Sequence, residues 1–236
     1  MKITAFLITY NCGPFLADCI NSINGQIRKP DTVVIVDDGS TDNSREVINS
    51  TFRRSISIFA EFPKLYIFSE HLGIQAQRTA ALRMTEALEA DDAVIFLDAD
   101  AIYFPHYLSQ LAAALEKNPE AGFSYCRWNW VREQDGHRFA QNSPATFDLN
   151  RLKRSNFISM CSLVRRSMFE GFQFDPELPR FHDWSLWLHC ALIKHKIGAF
   201  VPETLFEAKL RANGLTMKRG GAGGVALEIL KKKYLI

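Results

Sequence analysis

Short apolar runs alternate with amphipathic segments through the first half of the chain. This alternation is typical of βαβ units, so we expect an α/β fold with a mainly parallel sheet flanked by helices. The predicted strands cover 3–9, 32–37, 65–68 and 93–97. The predicted helices cover 15–23, a segment from about 43, 74–89 and 105–117.

The second half of the chain is less regular. Residues 128–150 are polar and aromatic without a clear period, which is typical of a hairpin or of a loop that covers a site. A helix is predicted over 183–195 and a strand over 197–201. The glycine run 220–224 predicts a hinge, and 225–236 predicts a short basic amphipathic helix.

Composition and charge narrow the class of protein. The 236 residues are 47% hydrophobic and 23% charged, which suits a soluble globular protein. Residues 209–236 carry seven basic side chains and one acidic side chain, whereas residues 1–208 carry 21 basic and 25 acidic ones. A net negative body gives no electrostatic reason to expect a nucleic-acid partner. We therefore expect one domain over 1–219 and a separate basic tail over 220–236.

Cysteine content and hydropathy indicate where in the cell the protein is expected. The five cysteines include no C-x-x-C pair, which argues against a disulfide framework and against a structural zinc site. No apolar run approaches the roughly 20 residues that cross a bilayer. We expect a cytoplasmic protein. For the tail, three alternatives stay open: a solvated terminal helix, a contact in a homodimer, or peripheral contact with the inner face of a membrane through apolar residues beside lysines.

Two acids follow the apolar strand 93–97. Asp98 and Asp100 are two residues apart, so their carboxylates point to the same side at the carboxyl edge of the sheet, where ligands bind in open α/β folds. Like charges in this arrangement favour a divalent cation with oxygen ligands, either Mg²⁺ or Mn²⁺. The alternative is a solvated turn, and the apolar strand in front favours the metal.

Further candidates stand where other predicted strands end. Asp38 follows the second strand, where a carboxylate either accepts hydrogen bonds from a nucleoside or completes a β-turn; position alone does not separate these roles. Arg78 lies about one turn into a helix after the third strand. There it either clamps phosphate oxygens or faces solvent.

Asp183 opens the predicted helix that also carries two tryptophans. A helix N-cap explains an aspartate at this place, and position alone favours that role. A carboxylate beside Trp184 and Trp187, which would stack on a sugar ring, also matches a general base for a hydroxyl nucleophile.

Five motifs in order resemble those of the inverting glycosyltransferases of family 2, which have the GT-A fold. The resemblance covers about the first 216 residues. The motifs are Thr9-Tyr10-Asn11, the stretch 36–42 with Asp37 and Asp38, Gly73 with Arg78, Asp98-Ala99-Asp100, and His182-Asp183-Trp184 with Trp187. The departures from the family pattern are His71, Thr79 and His182, and the segment Lys209-Leu210-Arg211, which lacks the family's late histidine.

The resemblance implies a nucleotide-sugar-binding half over 1–127 and an acceptor-side half over 128–219. The donor is then a nucleotide diphosphate sugar, with a UDP-sugar as the first candidate, and the acceptor is a hydroxyl of a glycan or a lipid-linked glycan. An alternative is a degenerate family member that binds a sugar nucleotide or a protein partner without turnover.

The resemblance also assigns roles to residues. Thr9, Tyr10, Asn11, Asp37, Asp38, Gly73, Arg78 and Asp98 bind the nucleotide; Asp98 and Asp100 bind Mn²⁺ or Mg²⁺; Asp183 is the catalytic base; His182, Trp184 and Trp187 lie on the acceptor side; and Lys209 and Arg211 face the diphosphate. Contacts that select sugar and acceptor are expected within 128–156.

Overall fold

The computed structural model describes residues 1–58, 64–140, 145–211 and 222–236 of the chain. Within these ranges the strands are β1 (Ile3–Thr9), β2 (Thr32–Asp37), β3 (Lys64–Phe68), β4 (Ala93–Asp98), β5 (Ala101–Tyr103), β6 (Ala121–Arg132), β7 (Arg138–Ala140), β8 (Leu163–Arg165) and β9 (Ile197–Leu210). The helices are α1 (Gly13–Asn24), α2 (Ser44–Ile58), α3 (Ile74–Arg83), α4 (Tyr107–Lys117), α5 (Leu149–Arg154), α6 (His182–Leu188) and α7 (Ala222–Tyr234).

The strands form one sheet in the order β3-β2-β1-β4-β8-β6-β9-β5, and β7 pairs with β6. Strands β3, β2, β1 and β4 run parallel, so their carboxyl ends meet at one edge. The register places Thr9 beside Asp37 and Ile8 beside Asp98. This half of the sheet therefore brings the predicted strand-end residues together.

Both faces of the sheet are covered, which explains why β1 is buried along its whole length. Its side chains alternate between two apolar clusters, as the twofold period of a strand requires. Leu7 packs in the cluster that contains α1 and α4, and Phe6 packs in the cluster that contains α3, α6 and α7.

The expected elements of the first half are confirmed, with one difference in helix length. α3 ends at Arg83, whereas the apolar spacing predicted a helix to residue 89. Beyond Arg83 the backbone makes turns: Thr85 donates its amide and its hydroxyl to the Leu82 carbonyl, and the Leu88 amide bonds to Thr85. These local hydrogen bonds replace the next helical turn.

Residues 128–150 contain a hairpin, one of the two structures expected there. β6 continues to Arg132 and turns at Gly136 (φ 69°) into β7. Residues 141–144 of this stretch lie outside the described part of the chain. β9 is much longer than the predicted 197–201, because it pairs with β6 on one side and β5 on the other.

The predicted helix 183–195 has two parts. It begins at His182 as α6 and continues from His189 to Ile193 as a π-helical turn. Ser185 of α6 meets Tyr234 of α7: the tyrosine hydroxyl donates to the Ser185 carbonyl at 2.8 Å and lies 3.1 Å from the serine hydroxyl.

The tail helix α7 is docked on the domain. Ala226, Leu230 and Tyr234 are buried in the cluster that includes α6. Gly223 and Gly224 lie in the first turn of α7, so the prediction of a hinge is wrong for these two residues; Gly220 and Gly221 lie outside the described residues. Much of the apolar face that suggested a membrane contact is therefore used in packing, although Leu235 stays 92% exposed. None of the helices in the described ranges has the length and apolar character of a bilayer span.

The docking of α7 predicts a large cost for Leu230→Ala. Truncating a fully buried leucine leaves a cavity, and we expect a loss of about 2–4 kcal/mol in the free energy of unfolding. Urea denaturation followed by circular dichroism measures this loss. Leu235→Ala, at an exposed position of the same segment, is the control and should change stability by less than about 0.5 kcal/mol. Equal effects of the two substitutions would contradict the docking of α7.

Candidate active site

A cleft of about 920 Å³ lies along the carboxyl ends of the parallel strands. It is bounded by the amino-terminal ends of α3 and α6 and by β6 and β9. The predicted site residues that line it are Thr9, Tyr10, Asn11, Asp38, Gly73, Arg78, Asp98, Asp100, His182, Asp183, Lys209 and Arg211. The fold thus gathers residues from across the sequence into one cavity.

The turn after β1 forms one end of the cleft. Tyr10 is 42% exposed and stacks on His71, with ring centroids 4.0 Å apart. Asn11 adopts a left-handed backbone (φ 51°), and its side-chain oxygen accepts hydrogen bonds from the Thr41 and Asp42 amides at 2.8 and 3.3 Å. These bonds fix the turn after β1 against the turn after β2.

Asp38 holds the loop between β3 and α3. Its carboxylate accepts hydrogen bonds from the amides of Leu72 at 2.8 Å and Gly73 at 3.0 Å, and from the side chain of Gln77 at 2.7 Å. Gly73 has φ 88°, a conformation that favours glycine. Because Asp38 is only 2% exposed and already well bonded, a direct contact with a nucleoside would have to replace one of these bonds.

Asp37 does not line the cleft, contrary to its predicted contact with the nucleotide. It is fully buried, and its carboxylate accepts the Ser40 amide at 3.0 Å, which closes the turn after β2. Because consecutive residues point to opposite sides at the end of a strand, only one of the two neighbouring aspartates faces the cavity.

The acidic pair lies in the middle of the cleft. The side chains of Asp98 and Asp100 are 42% and 25% exposed. Tyr103 fixes the strand end, because its hydroxyl accepts the Asp98 amide at 2.8 Å and donates to the Asp98 carbonyl at 3.1 Å. Burial, and then repulsion by Asp98, raise the pKa of Asp100 to about 7, although Arg211 opposes this shift.

These two carboxylates fit a divalent cation that shares its ligands with a phosphate. Within the described residues no group of three or more His, Cys, Asp or Glu side chains could hold a metal ion by itself. Mg²⁺ and Mn²⁺ commonly bind through one or two carboxylates and complete their coordination with water and substrate phosphates. Burial is the main cause of the raised pKa of Asp100, and repulsion by Asp98 raises this pKa more than Arg211 lowers it.

Arg78 is buried beside the acidic pair, so the alternative of a solvated arginine is wrong. Its side chain is 11% exposed, and its Nη2 lies 3.8 Å from Asp98 Oδ1. Its guanidinium also lies 5.7 Å from the ring centroid of Phe174. Burial lowers the pKa of Arg78, whereas Asp98 and Asp183 favour its charged form. The positive charge of Arg78 therefore interacts favourably with both Asp98 and Asp183.

Asp183 is not the N-cap of α6. The helix begins at His182, and the cap position is occupied by Phe181, which has φ 63°. The Asp183 carboxylate instead accepts the Asn156 side-chain amide at 2.7 Å and the Trp184 amide at 2.8 Å. Burial raises the pKa of Asp183, and these hydrogen bonds and Arg78 oppose the shift. The result is an oriented carboxylate with more than ordinary basicity.

His182 lines the cleft as a neutral side chain. Its Nε2 lies 2.7 Å from the Leu178 carbonyl oxygen and 2.9 Å from the side-chain nitrogen of Gln75. Burial lowers the pKa of His182 to about 4, so the ring is uncharged at neutral pH. The glutamate that the family pattern has at this position is thus replaced by a group without charge.

Trp184 and Trp187 do not reach the cleft, and the prediction that they stack on a sugar is wrong. They are 4% and 0% exposed and pack in the core. Their indole N–H groups donate to the carbonyls of Leu152 and Ile158, at 2.6 and 3.0 Å. Helical spacing placed them on one face of α6, and that face is the one that packs on the sheet.

Lys209 and Arg211 bring positive charge to the acidic end of the cleft. Arg211 Nη1 lies 3.7 Å from Asp100 Oδ2, and its Nη2 donates to the Asn11 carbonyl at 3.0 Å. The Lys209 amide donates to the Asp100 carbonyl at 3.0 Å, which ties the end of β9 to the acidic pair.

Three residues that support the site were not predicted from the sequence. Asn156 orients Asp183, Gln77 bonds to Asp38, and Tyr103 holds the backbone of Asp98. Gln77 lies inside the stretch between Gly73 and Arg78, where spacing offered a signal. Asn156 reaches Asp183 across 27 residues through the fold alone, and no local pattern marks it.

A cleft of this kind at the carboxyl edge of a sheet flanked by helices defines the chain as an α/β protein of the GT-A class. The family model for glycosyl transferase family 2 matches residues 4–172. The chain therefore belongs to glycosyl transferase family 2.

Named relatives agree with this family. The chain is 32% identical over 122 residues to the uncharacterised glycosyltransferase alr2836 of Nostoc sp.; the match covers 52% of this chain and 35% of that protein. It is 23% identical over 198 residues to the uncharacterised glycosyltransferase YwdF of Bacillus subtilis, with 81% and 68% covered. The chain thus spans about a third of the Nostoc relative's length.

Solved structures share the fold. TarS of S. aureus in complex with UDP-GlcNAc has a TM-score of 0.72 at 20% identity, with 93% of this chain and 62% of TarS covered. Glucosyl-3-phosphoglycerate synthase of Mycobacterium tuberculosis with Mg²⁺ and UDP gives 0.68 at 14% identity, with 100% and 80% covered. The mannosyltransferase PcManGT of Pyrobaculum calidifontis with GDP-Man and Mn²⁺ gives 0.64 at 20% identity, with 99% and 69% covered.

The contact between Asn156 and Asp183 predicts a shift in titration. Asn156→Ala removes a donor that favours the ionised carboxylate, so the pKa of Asp183 should rise further. The side-chain carboxyl ¹³C resonance of Asp183, assigned by its loss in Asp183→Asn, reports the titration. Asn118→Ala, at an exposed helix end, should leave this pKa unchanged. An unshifted pKa in Asn156→Ala would contradict the assigned contact.

Proposed function

We propose that the chain transfers a sugar from a nucleotide diphosphate sugar to an acceptor hydroxyl in a single displacement with inversion. The observation that carries this proposal is the shared cleft of Asp98, Asp100 and Asp183, in which Arg78 interacts electrostatically with both Asp98 and Asp183. A site for a diphosphate and a site for a base then lie side by side, as a direct displacement requires.

A UDP-sugar is the proposed donor. Of the three solved structures described above, two hold UDP or UDP-GlcNAc, which supports this choice. Thr9, Tyr10 and Asn11 would contact the nucleoside, with the exposed face of the Tyr10 ring available for stacking. Asp38 would act mainly through the loop that carries Gly73, which it holds in place.

Asp98 and Asp100 would hold Mn²⁺ or Mg²⁺. When bound, the cation would stabilise the negative charge that develops on the leaving diphosphate. Arg211 and Lys209 would add positive charge at the same end of the cleft, where the family's late histidine is missing. Arg211 would exchange its present partner Asp100 for phosphate oxygens, which a guanidinium binds in a bidentate manner.

Asp183 would take the proton of the acceptor hydroxyl. The acceptor oxygen would form its bond to the anomeric carbon as the bond from that carbon to the diphosphate breaks, which inverts the configuration. Asn156 and the Trp184 amide hold the carboxylate in one orientation during this step. Because burial raises the pKa of Asp183, the carboxylate accepts a proton more readily than an exposed aspartate.

Replacing Asp183 by asparagine should remove transfer and preserve donor binding. We expect turnover of UDP-sugars to fall by at least about 10²-fold, because the base is lost, while the affinity for UDP measured by calorimetry stays within about twofold. Asp91→Asn, at a carboxylate that is 91% exposed, is the matched control and should keep full activity. An active Asp183→Asn enzyme would refute the assignment of the base.

Replacing Asp100 by alanine should distinguish the contribution of the metal to UDP binding from the contribution of the cationic side chains. With Mn²⁺ present, the wild type should bind UDP at least about tenfold more tightly than Asp100→Ala, because a carboxylate ligand is lost. In EDTA the variant should bind UDP no more weakly than the wild type, since Arg211 is then released from Asp100. Titration calorimetry measures both affinities, and wild-type binding that does not respond to EDTA would contradict the metal site.

A further inference from the structure

The cleft contains an aromatic surface that the roles assigned above do not use. Trp128 and Trp130 both line the cavity, and they lie two residues apart on β6, so they face the same side of the sheet. Trp128 is 6% exposed, whereas Trp130 is only partly buried. An indole that stays open to a polar cavity costs free energy in water, and a ligand with an apolar face would recover it.

Packing holds Trp130 in one orientation. Trp128 stacks on Phe206 with ring centroids 5.7 Å apart and an angle of 10° between the planes. Trp130 packs edge to face on Trp128 at 6.2 Å and 77°. Its neighbour on β9 is Ala208, whose small side chain also lines the cleft. We call Trp130, with Trp128 behind it, the indole platform.

The strand order places the indole platform away from the nucleoside end. The turns after β1 and β2 form the nucleoside end, whereas the platform belongs to the β6-β9-β5 side of the sheet. Trp130 pairs with Ala208, and Ala208 pairs with Ala101, the residue after Asp100. Two strand spacings therefore separate Trp130 from the end of the acidic motif, a distance of about 10 Å.

The rest of the cavity wall is mixed, with polar groups beside apolar side chains such as Phe157 and Met160. Asn156, Asp183 and His182 line the same cleft as Trp130. A pyranose ring presents C–H groups on its face and hydroxyls around its rim, so it matches an indole on one side and amide and carboxylate groups on the other.

We propose that Trp130 is the stacking platform for the acceptor, and that the acceptor group bound there is a pyranose ring of a glycan. This inference rests on the proposed function, and it specifies the chemical class of the acceptor. Sugar stacking, which the sequence suggested for the tryptophans of α6, is thus assigned to Trp130 of β6.

Saturation-transfer NMR on the full chain with UDP and the diamagnetic ion Mg²⁺ tests the proposal, with cellobiose, chitobiose, maltose and lactose as probes. At least one disaccharide should receive saturation, strongest on the C–H groups of one ring face. Trp130→Ala should weaken its binding about tenfold or more, and Trp130→Phe should retain most of it. The affinity for UDP, measured by calorimetry, should be the same in all variants.

Phe139→Ala is the matched control, because Phe139 pairs with Trp130 across the hairpin but does not line the cleft. Its disaccharide binding should equal that of the wild type. The platform is refuted if no probe binds the wild type, if Trp130→Ala binds as the wild type does, or if either alanine variant loses UDP affinity. Equal loss of disaccharide binding in Phe139→Ala and Trp130→Ala also refutes it. Disaccharide binding without any UDP binding would instead contradict the proposed function and leave the platform standing.

Discussion

The properties of the cleft depend on how the charges of three carboxylates are balanced. Parallel strands end at one edge, and the fold adds α6 to that edge, so Asp98, Asp100 and Asp183 share a partly desolvated cleft. Burial destabilises the ionised carboxylates and is the main cause of the raised pKa values of Asp100 and Asp183, and repulsion by Asp98 adds to both shifts. Arg211 opposes the shift of Asp100, and Arg78 opposes the shift of Asp183.

The position of Asp183 depends on contacts far from it in sequence. Asn156 fixes the carboxylate, and the helix that carries it is buried on the side of Trp184 and Trp187. Tyr234 of α7 adds a hydrogen bond to Ser185, one half turn along the same helix. Helix α7 is therefore part of the support for the side of the cleft that carries Asp183, although its sequence resembles a detachable basic tail.

The two sides of the sheet contribute different kinds of groups to the cleft. The parallel side, from β3 to β4, provides strand ends and loops whose amides and acids suit a nucleotide. The side formed by β6, β9 and β5 provides an indole surface, together with Lys209 and Arg211. A long β6 paired with a long β9 makes this possible, because the pairing carries Trp128 and Trp130 into the lining of the same cleft.

Local pattern determined much of the chain. Apolar runs fixed β1, β2 and β4 because both faces of these strands are buried, and strand-end acids marked the cleft because parallel strands end at one edge. Predictions from the sequence pattern were wrong where the same pattern is compatible with two structural roles. Helical spacing cannot distinguish the tryptophans of a core face from those of a binding face, and two adjacent aspartates do not reveal which one faces inward.

Only the tertiary structure decided those cases, together with the docking of α7, the reach of Asn156 to Asp183 and the exposure of Trp130. Each of them depends on which surfaces meet across the fold, and burial and hydrogen bonding between segments distant in the chain leave no periodic trace in a single sequence.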